Sequence, residues 1–222
     1  MTAIKSSFIK VAMPMVMVFS MLFTLGVFPG VMAEANAATE VTRHHAIDTA
    51  GVTKVEIKNG VGAIYISPTD SETLSAEVFI EGSRSGLLRR KADVSGFDIE
   101  VERSGNTLKL TFGENNTKAD WHIQLPLVDS LSVDLGVGHI DIEVLDTGVT
   151  VNNGVGDVTV QTALKYVGDV SVNTGVGNAR ISGAPGAESK RSIVSERSSA
   201  IGEGNKRINV EVGVGDAHVK LN

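Results

Sequence analysis

The chain has 222 residues, a formal net charge of −6 and no cysteine. The acidic balance excludes the clustered Lys and Arg of a nucleic-acid footprint, and the missing thiols exclude disulfides, thiolate zinc sites, cysteine nucleophiles and a lipid anchor on an N-terminal cysteine. With two Tyr, one Trp and seven Phe, the sequence is poor in the flat rings on which single-stranded nucleic acid or a sugar-stacking cleft depends.

Lys5 and Lys10 precede an apolar stretch over residues 11–33, which is followed by Ala33-Glu34-Ala35 and Ala35-Asn36-Ala37. Positive, apolar and small-residue regions in that order are what the export machinery and signal peptidase recognise. Residues 1–37 are therefore expected to be a signal peptide and 38–222 a single β-repeat domain. An uncleaved anchor is the competing reading, because the apolar run reaches spanning length; Pro14, Gly26 and Pro29 interrupt it. No second stretch of that length follows, so no transmembrane segment is expected after cleavage. The expected compartment is the periplasm, the cell surface or the exterior.

Residues 39–48 form a polar lead-in containing His44 and His45. Alternating apolar residues then predict a strand on each side of Gly60-Val61-Gly62, through Val55, Ile57, Ile64 and Ile66. Leu74, Ala76, Val78 and Ile80 predict the next strand, and the run with Arg84, Arg89, Arg90 and Lys91 reads as a loop or short helical turn. Phe97, Ile99 and Val101 alternate against Leu108, Leu110 and Phe112 across Gly105-Asn106, as in a hairpin whose turn needs positive φ. Trp121, Ile123, Leu125 and Leu127 predict a further strand. Residues 183–204 are a polar excursion anchored only by Ile193 and Val194.

Gly-Val-Gly occurs five times, at Gly60–Gly62, Gly136–Gly138, Gly154–Gly156, Gly175–Gly177 and Gly213–Gly215, with alternating strands on both sides of each copy. The first glycines are 76, 18, 21 and 38 residues apart, so a period of about 19 residues fits once, twice and four times, the mark of a stacked repeat. One such unit cannot bury its apolar face alone and needs neighbours on both sides. The glycines are the expected structural turns, because they tolerate positive φ and close backbone approach. The predicted fold is all-β: a short β-solenoid or roll of strand–turn–strand units with an inserted hairpin. A two-sheet β-sandwich built from the same strands is the alternative.

Four stretches, VEIKNGVGAIYI, HIQLPLVDSLSVDLGVGHIDIEV, VGDVSVNTGVGNARISG and INVEVGVGDAHVKL, give the chain a resemblance to the bacterial exported putative-adhesin, or toast-rack, domain family of unknown function. The resemblance covers nearly all of residues 38–222. It implies a β-rich repeat domain in the bacterial envelope or exterior, at times tied to envelope-stress systems, with no established catalytic residues.

Stacking places the residue after each turn in one column: Ala63, His139, Asp157, Asn178 and Asp216. His139, Asp157, Asn178 and Asp216 are the candidate ligand-binding residues; solvated turn positions that favour Asp and Asn are the plainer explanation. Calcium β-rolls need Gly-Gly-x-Gly-x-Asp, whereas Gly156-Asp157 and Gly215-Asp216 are adjacent here, so no calcium site is expected. His44-His45, His122 and His218 read as surface residues. No Gly-x-Ser-x-Gly elbow is present, and each Gly-Val-Gly leads into a strand rather than the helix a phosphate loop requires. The basic run at Arg84, Arg89, Arg90 and Lys91 reads as a solvated loop, with anionic lipid or polymer as the other reading.

These features predict a non-enzymatic exported module for binding, adhesion or scaffolding, without catalytic residues, metal or cofactor. Its partner is expected to be an envelope protein or surface polymer and not nucleic acid. Two other readings remain: an envelope-stress protein-interaction domain, and a polysaccharide-processing β-helix enzyme, which would need carboxylates lining a long groove.

Overall fold

In a computed structural model, residues 38–85, 90–184, 187–191 and 195–222 are described; the expected signal peptide, Arg89, Ile193 and Val194 lie outside them. Among the described residues, seventeen strands and one short 3-10 turn follow one another. They are β1 (Glu40–Asp48), β2 (Lys54–Pro68), β3 (Thr73–Gly82), β4 (Arg84–Ser85), β5 (Arg90–Lys91), β6 (Glu100–Ser104), β7 (Thr107–Phe112), β8 (Thr117–Leu125) and β9 (Ser130–Glu143). The chain continues as β10 (Gly148–Val155), β11 (Val158–Thr162), the 3-10 turn (Leu164–Tyr166), β12 (Val167–Val176), β13 (Ala179–Ser182), β14 (Glu188–Arg191), β15 (Glu196–Ile201), β16 (Lys206–Val214) and β17 (Ala217–Leu221). Among the described residues no helix is long and apolar enough to cross a membrane.

Each Gly-Val-Gly is a corner at which the chain passes from one sheet to another. The strands before the corners form the first sheet, in the order β6, β7, β2, β9, β10, β16, β12, β15, β14. Those after the corners form the second, in the order β1, β3, β8, β2, β9, β11, β17, β13. β2 and β9 run through their corners and so belong to both sheets. The repeat strands pair in parallel, as stacked coils must when each closes by a second corner. Residues 144–147 make one such return. There the buried Thr147 donates from Oγ1 to the Val128 carbonyl at 2.9 Å.

The alternation predicted for the coils is the alternation observed. Val149, Val151, Val158 and Val160 are buried, while Thr150 and Asp157 face solvent. In register, Ile57, Val133, Val151, Val210 and Val172 form one inner row of the first sheet. Trp121, Ile64, Ile140, Val158, Ala217 and Ala179 form the facing row of the second. Both inner faces share one hydrophobic core, so the all-β roll with an inserted hairpin holds.

Four details differ from the expectations. The coils do not stack in chain order: β16 lies between β10 and β12, and β17 between β11 and β13. The far side of β12 is taken by β15, which runs antiparallel to it, so the last coil completes the slot left on the near side. In the hairpin, β7 pairs in parallel with β2 and extends the stack, but only Gly105 takes positive φ at the turn. Asn106 instead accepts the Thr53 and Lys54 amides on its carbonyl. The strand carrying Trp121 ends at Leu125 because Pro126 has no N–H for the ladder, and Leu127 is exposed.

The basic run is the fourth. β4 and β5 pair across it, and Lys91 Nζ contacts Glu81 Oε1 at 2.7 Å and Glu40 Oε1 at 3.0 Å. The hydrogen bond and charge of Lys91 hold the Glu81 carboxyl below its usual range, and Glu81 with Glu40 raises Lys91. Lys91 ties β1 to β3 rather than standing ready for a lipid headgroup.

Candidate binding face

The outer face of the second sheet carries side chains in rows that run across the strands, perpendicular to the chain, with neighbouring strands about 4.8 Å apart. The row nearest the corners is the one the sequence singles out. It reads Ala63, His139, Asp157, Asp216, Asn178, with Asp216 between Asp157 and Asn178 because of the inserted last coil.

What its carboxylates do follows from the ladder. Between β2 and β9 the pairing continues through the corner, from Val61 opposite Val137 to Ala63 opposite His139. In the other coils the strand breaks there: β10 ends at Val155 and β11 begins at Val158. The amide after the break has lost its ladder partner, and an aspartate from the neighbouring coil supplies one. Asp157 Oδ1 accepts the Asp216 amide at 3.0 Å, and Asp216 Oδ1 accepts the Asn178 amide at 2.8 Å and its Nδ2 at 2.9 Å. Asp120 does the same at the start of the row, accepting the Ala63 amide at 2.8 Å and Lys118 Nζ at 2.6 Å. These side-chain-to-backbone bonds, though exposed to solvent or only partly buried, link coil to coil. Among the described residues no group of three or more His, Asp or Glu is placed to hold a metal ion.

His139 is the exception in this row. Its ring lies 6.1 Å from that of Tyr65, tilted by 51°. Tyr65 in turn stands opposite His122 on β8, their rings stacked at 4.9 Å and 14°. Tyr65 is 39% exposed and Phe79, two strands away on the same face, 36%. A chain poor in aromatics thus gathers several of its rings on one surface.

The row through Tyr65 reads His44, Glu77, His122, Tyr65, Asp141, Thr159, His218, Arg180. Around its middle lies a shallow recess of about 380 Å³, lined by Tyr65, His122, Glu77, Asp141, Glu143, Gln124, Ser67 and Ser75, with Ile66 and Ile123 also bordering it. None of the polar side chains lining it has a hydrogen-bond or ion-pair partner among the described residues. The contrast with the corner row is plain: there the carboxylates are committed to backbone amides, and here Glu77, Asp141 and Glu143 are uncommitted.

The remaining histidines are placed as follows. His45 Nε2 meets Asp98 Oδ1 at 2.8 Å, which pins the 93–98 loop against β1 together with Arg43, whose guanidinium donates to the Phe97 and Ser95 carbonyls. His218 is bonded to Ser182 Oγ at 2.9 Å; burial, then Lys220 and Arg180, lower its pKa. His122, which the alternation assigns to the surface, is on the surface but stacked. Tyr65 was missed altogether. The available signal was its outward position in IYIS, facing His122 from a strand outside the repeats.

A family model described as the N-terminal domain of toast_rack, DUF2154, matches residues 34–182. Among solved structures, the crystal structure of a putative cell adhesion protein from Clostridium sporogenes ATCC 15579 is similar at a TM-score of 0.52 and 15% identity, covering 82% of this chain and 100% of that chain. A putative adhesin from Bacteroides fragilis NCTC 9343 aligns over 82% of this chain and 97% of its own, at 13% identity and a TM-score of 0.33. No curated protein matches the chain. The Clostridium likeness supports the fold, and the family match spans the stack from β1 to β13. The chain belongs to the family of toast_rack N-terminal domains.

Proposed function

We propose that this chain is an exported, non-enzymatic binding module of the bacterial envelope or exterior, acting in adhesion or scaffolding. The observation that carries the reading is the recess around Tyr65. It sits on strands paired on both sides, so its floor is rigid, and its polar groups are left for a partner outside the chain. The description of the Clostridium protein as a putative cell adhesion protein agrees with a surface role, and the leader-like residues 1–37 agree with export.

Fractionation of producing cells tests this reading. The expected result is protein in the periplasmic, surface or extracellular fraction, with its N-terminus at Ala38 and with retention on isolated envelopes in a sedimentation assay. Full-length protein confined to the cytoplasm and not retained by envelopes contradicts it.

A further inference from the structure

We propose that the Tyr65 recess binds a saccharide carrying free amines, such as a run of glucosamine units. This rests on the recess being the binding face of the module, and it names the ligand chemistry of that face.

Charge is the first argument. Glu77, Asp141 and Glu143 line the recess and, among the described residues, no Lys or Arg does. An anionic polymer would meet repulsion, whereas an ammonium group gains charge-assisted hydrogen bonds to uncommitted carboxylates. Ring chemistry is the second. A sugar's C–H face sits on an aromatic ring as apolar surface, and a nearby cation is drawn to the ring's π-face. His122 covers one face of the Tyr65 ring, and the other face, with His139 tilted beside it, supplies that surface.

The third argument separates a sugar from a basic peptide. Extended peptides gain affinity by pairing their main chain with an open sheet edge. β8, β2 and β9 each have a neighbour on both sides in the second sheet, so the recess offers no backbone edge. It offers side chains only, including the Gln124 amide and the Ser67 and Ser75 hydroxyls, which suit vicinal hydroxyl groups.

Calorimetric titration of the protein with four probes tests the proposal: tetraglucosamine, tetra-N-acetylglucosamine, tetragalacturonate and tetralysine. Tetraglucosamine is expected to bind, more tightly than the N-acetylated tetramer and than tetralysine, with no heat from tetragalacturonate. Tyr65→Ala and the pair Glu77→Gln/Asp141→Asn should each weaken tetraglucosamine about tenfold, while an unchanged circular dichroism spectrum shows that the exposed substitutions leave the fold intact. Absence of tetraglucosamine binding, equal affinity for tetralysine, or indifference to Tyr65→Ala overturns the proposal. Envelope retention of the Tyr65→Ala variant is measured in parallel. If it persists in full, the recess is discarded as the binding face and the module's envelope binding must lie elsewhere on the chain; if the unaltered protein is not retained either, the binding-module reading falls as well.

Discussion

Gly138→Ala is expected to lower the melting temperature by about 10 °C, whereas Gly60→Ala leaves it within about 2 °C. Gly138 has φ +146°, and a Cβ built there would lie 1.6 Å from the Gly62 carbonyl oxygen of the neighbouring coil. A side chain in that backbone region costs about 1–3 kcal/mol by itself, and the clash is with backbone that is held in two sheets and cannot step aside. Together these place the loss at about 3 kcal/mol or more. Gly60 begins the row of first glycines, has no positive φ, and an added Cβ meets nothing within 4 Å. Gly156→Val extends the test: its Cβ would lie 1.8 Å from the Gly138 carbonyl oxygen at φ +128°. It should lower the melting temperature by several degrees more than Thr159→Val, which changes an outer-face side chain. Thermal melts followed by circular dichroism measure all four. Equal losses at Gly60 and Gly138 would mean that the corners are not stacked as described.

Trp121→Ala should cost about 3–5 kcal/mol, the range for truncating a large buried aromatic. Trp121 is fully buried, between Ile64 on β2 and Val78 on β3. It lies where the inserted strands β3 and β8 are joined to the first repeat coil, so a cavity there loosens that junction. Trp121→Phe should cost less than half as much. It keeps most of the ring and removes the Nε1–H, which has no hydrogen-bond partner among the described residues, whereas a buried polar group without a partner is a liability. Scanning calorimetry checks both variants. Similar losses for Ala and Phe would show that the indole itself, not its volume, matters.

Much of this architecture can be read from alternation, because period-two burial depends only on which side chains face the core. Ile57 and Ile64, or Val151 and Val158, declare their inward sides and the corner between them. The order of the coils is different in kind. VNNGVGD, VNTGVGN and VEVGVGD present nearly the same edges, so nothing local distinguishes the neighbour of β10. β15 covers one edge of β12 and leaves the other to β16, which pairs with β10 across 59 residues of chain (Val149 with Ile208). The corner row was likewise visible as a column of Asp, Asn and His. That its aspartates accept amides from the next coil depends on the ladder breaking after Val155 but continuing after Val61, a difference between coils whose corner motifs are identical. Tyr65 and His122 meet only because β8, which carries no Gly-Val-Gly, takes the place of another coil beside β2.

Two rows on one face therefore differ: Asp157 and Asp216 link coil to coil, and the Tyr65 recess is where we propose that a partner binds. Envelope retention measured by sedimentation for Asp216→Ala and Tyr65→Ala, below the melting temperature of both, tests this division most directly. Asp216→Ala, expected to lose about 1 kcal/mol of stability with its hydrogen bonds to Asn178, should be retained like the unaltered protein, and Tyr65→Ala, expected to keep its stability, should be retained poorly. Loss of retention with Asp216→Ala and full retention with Tyr65→Ala would contradict the account.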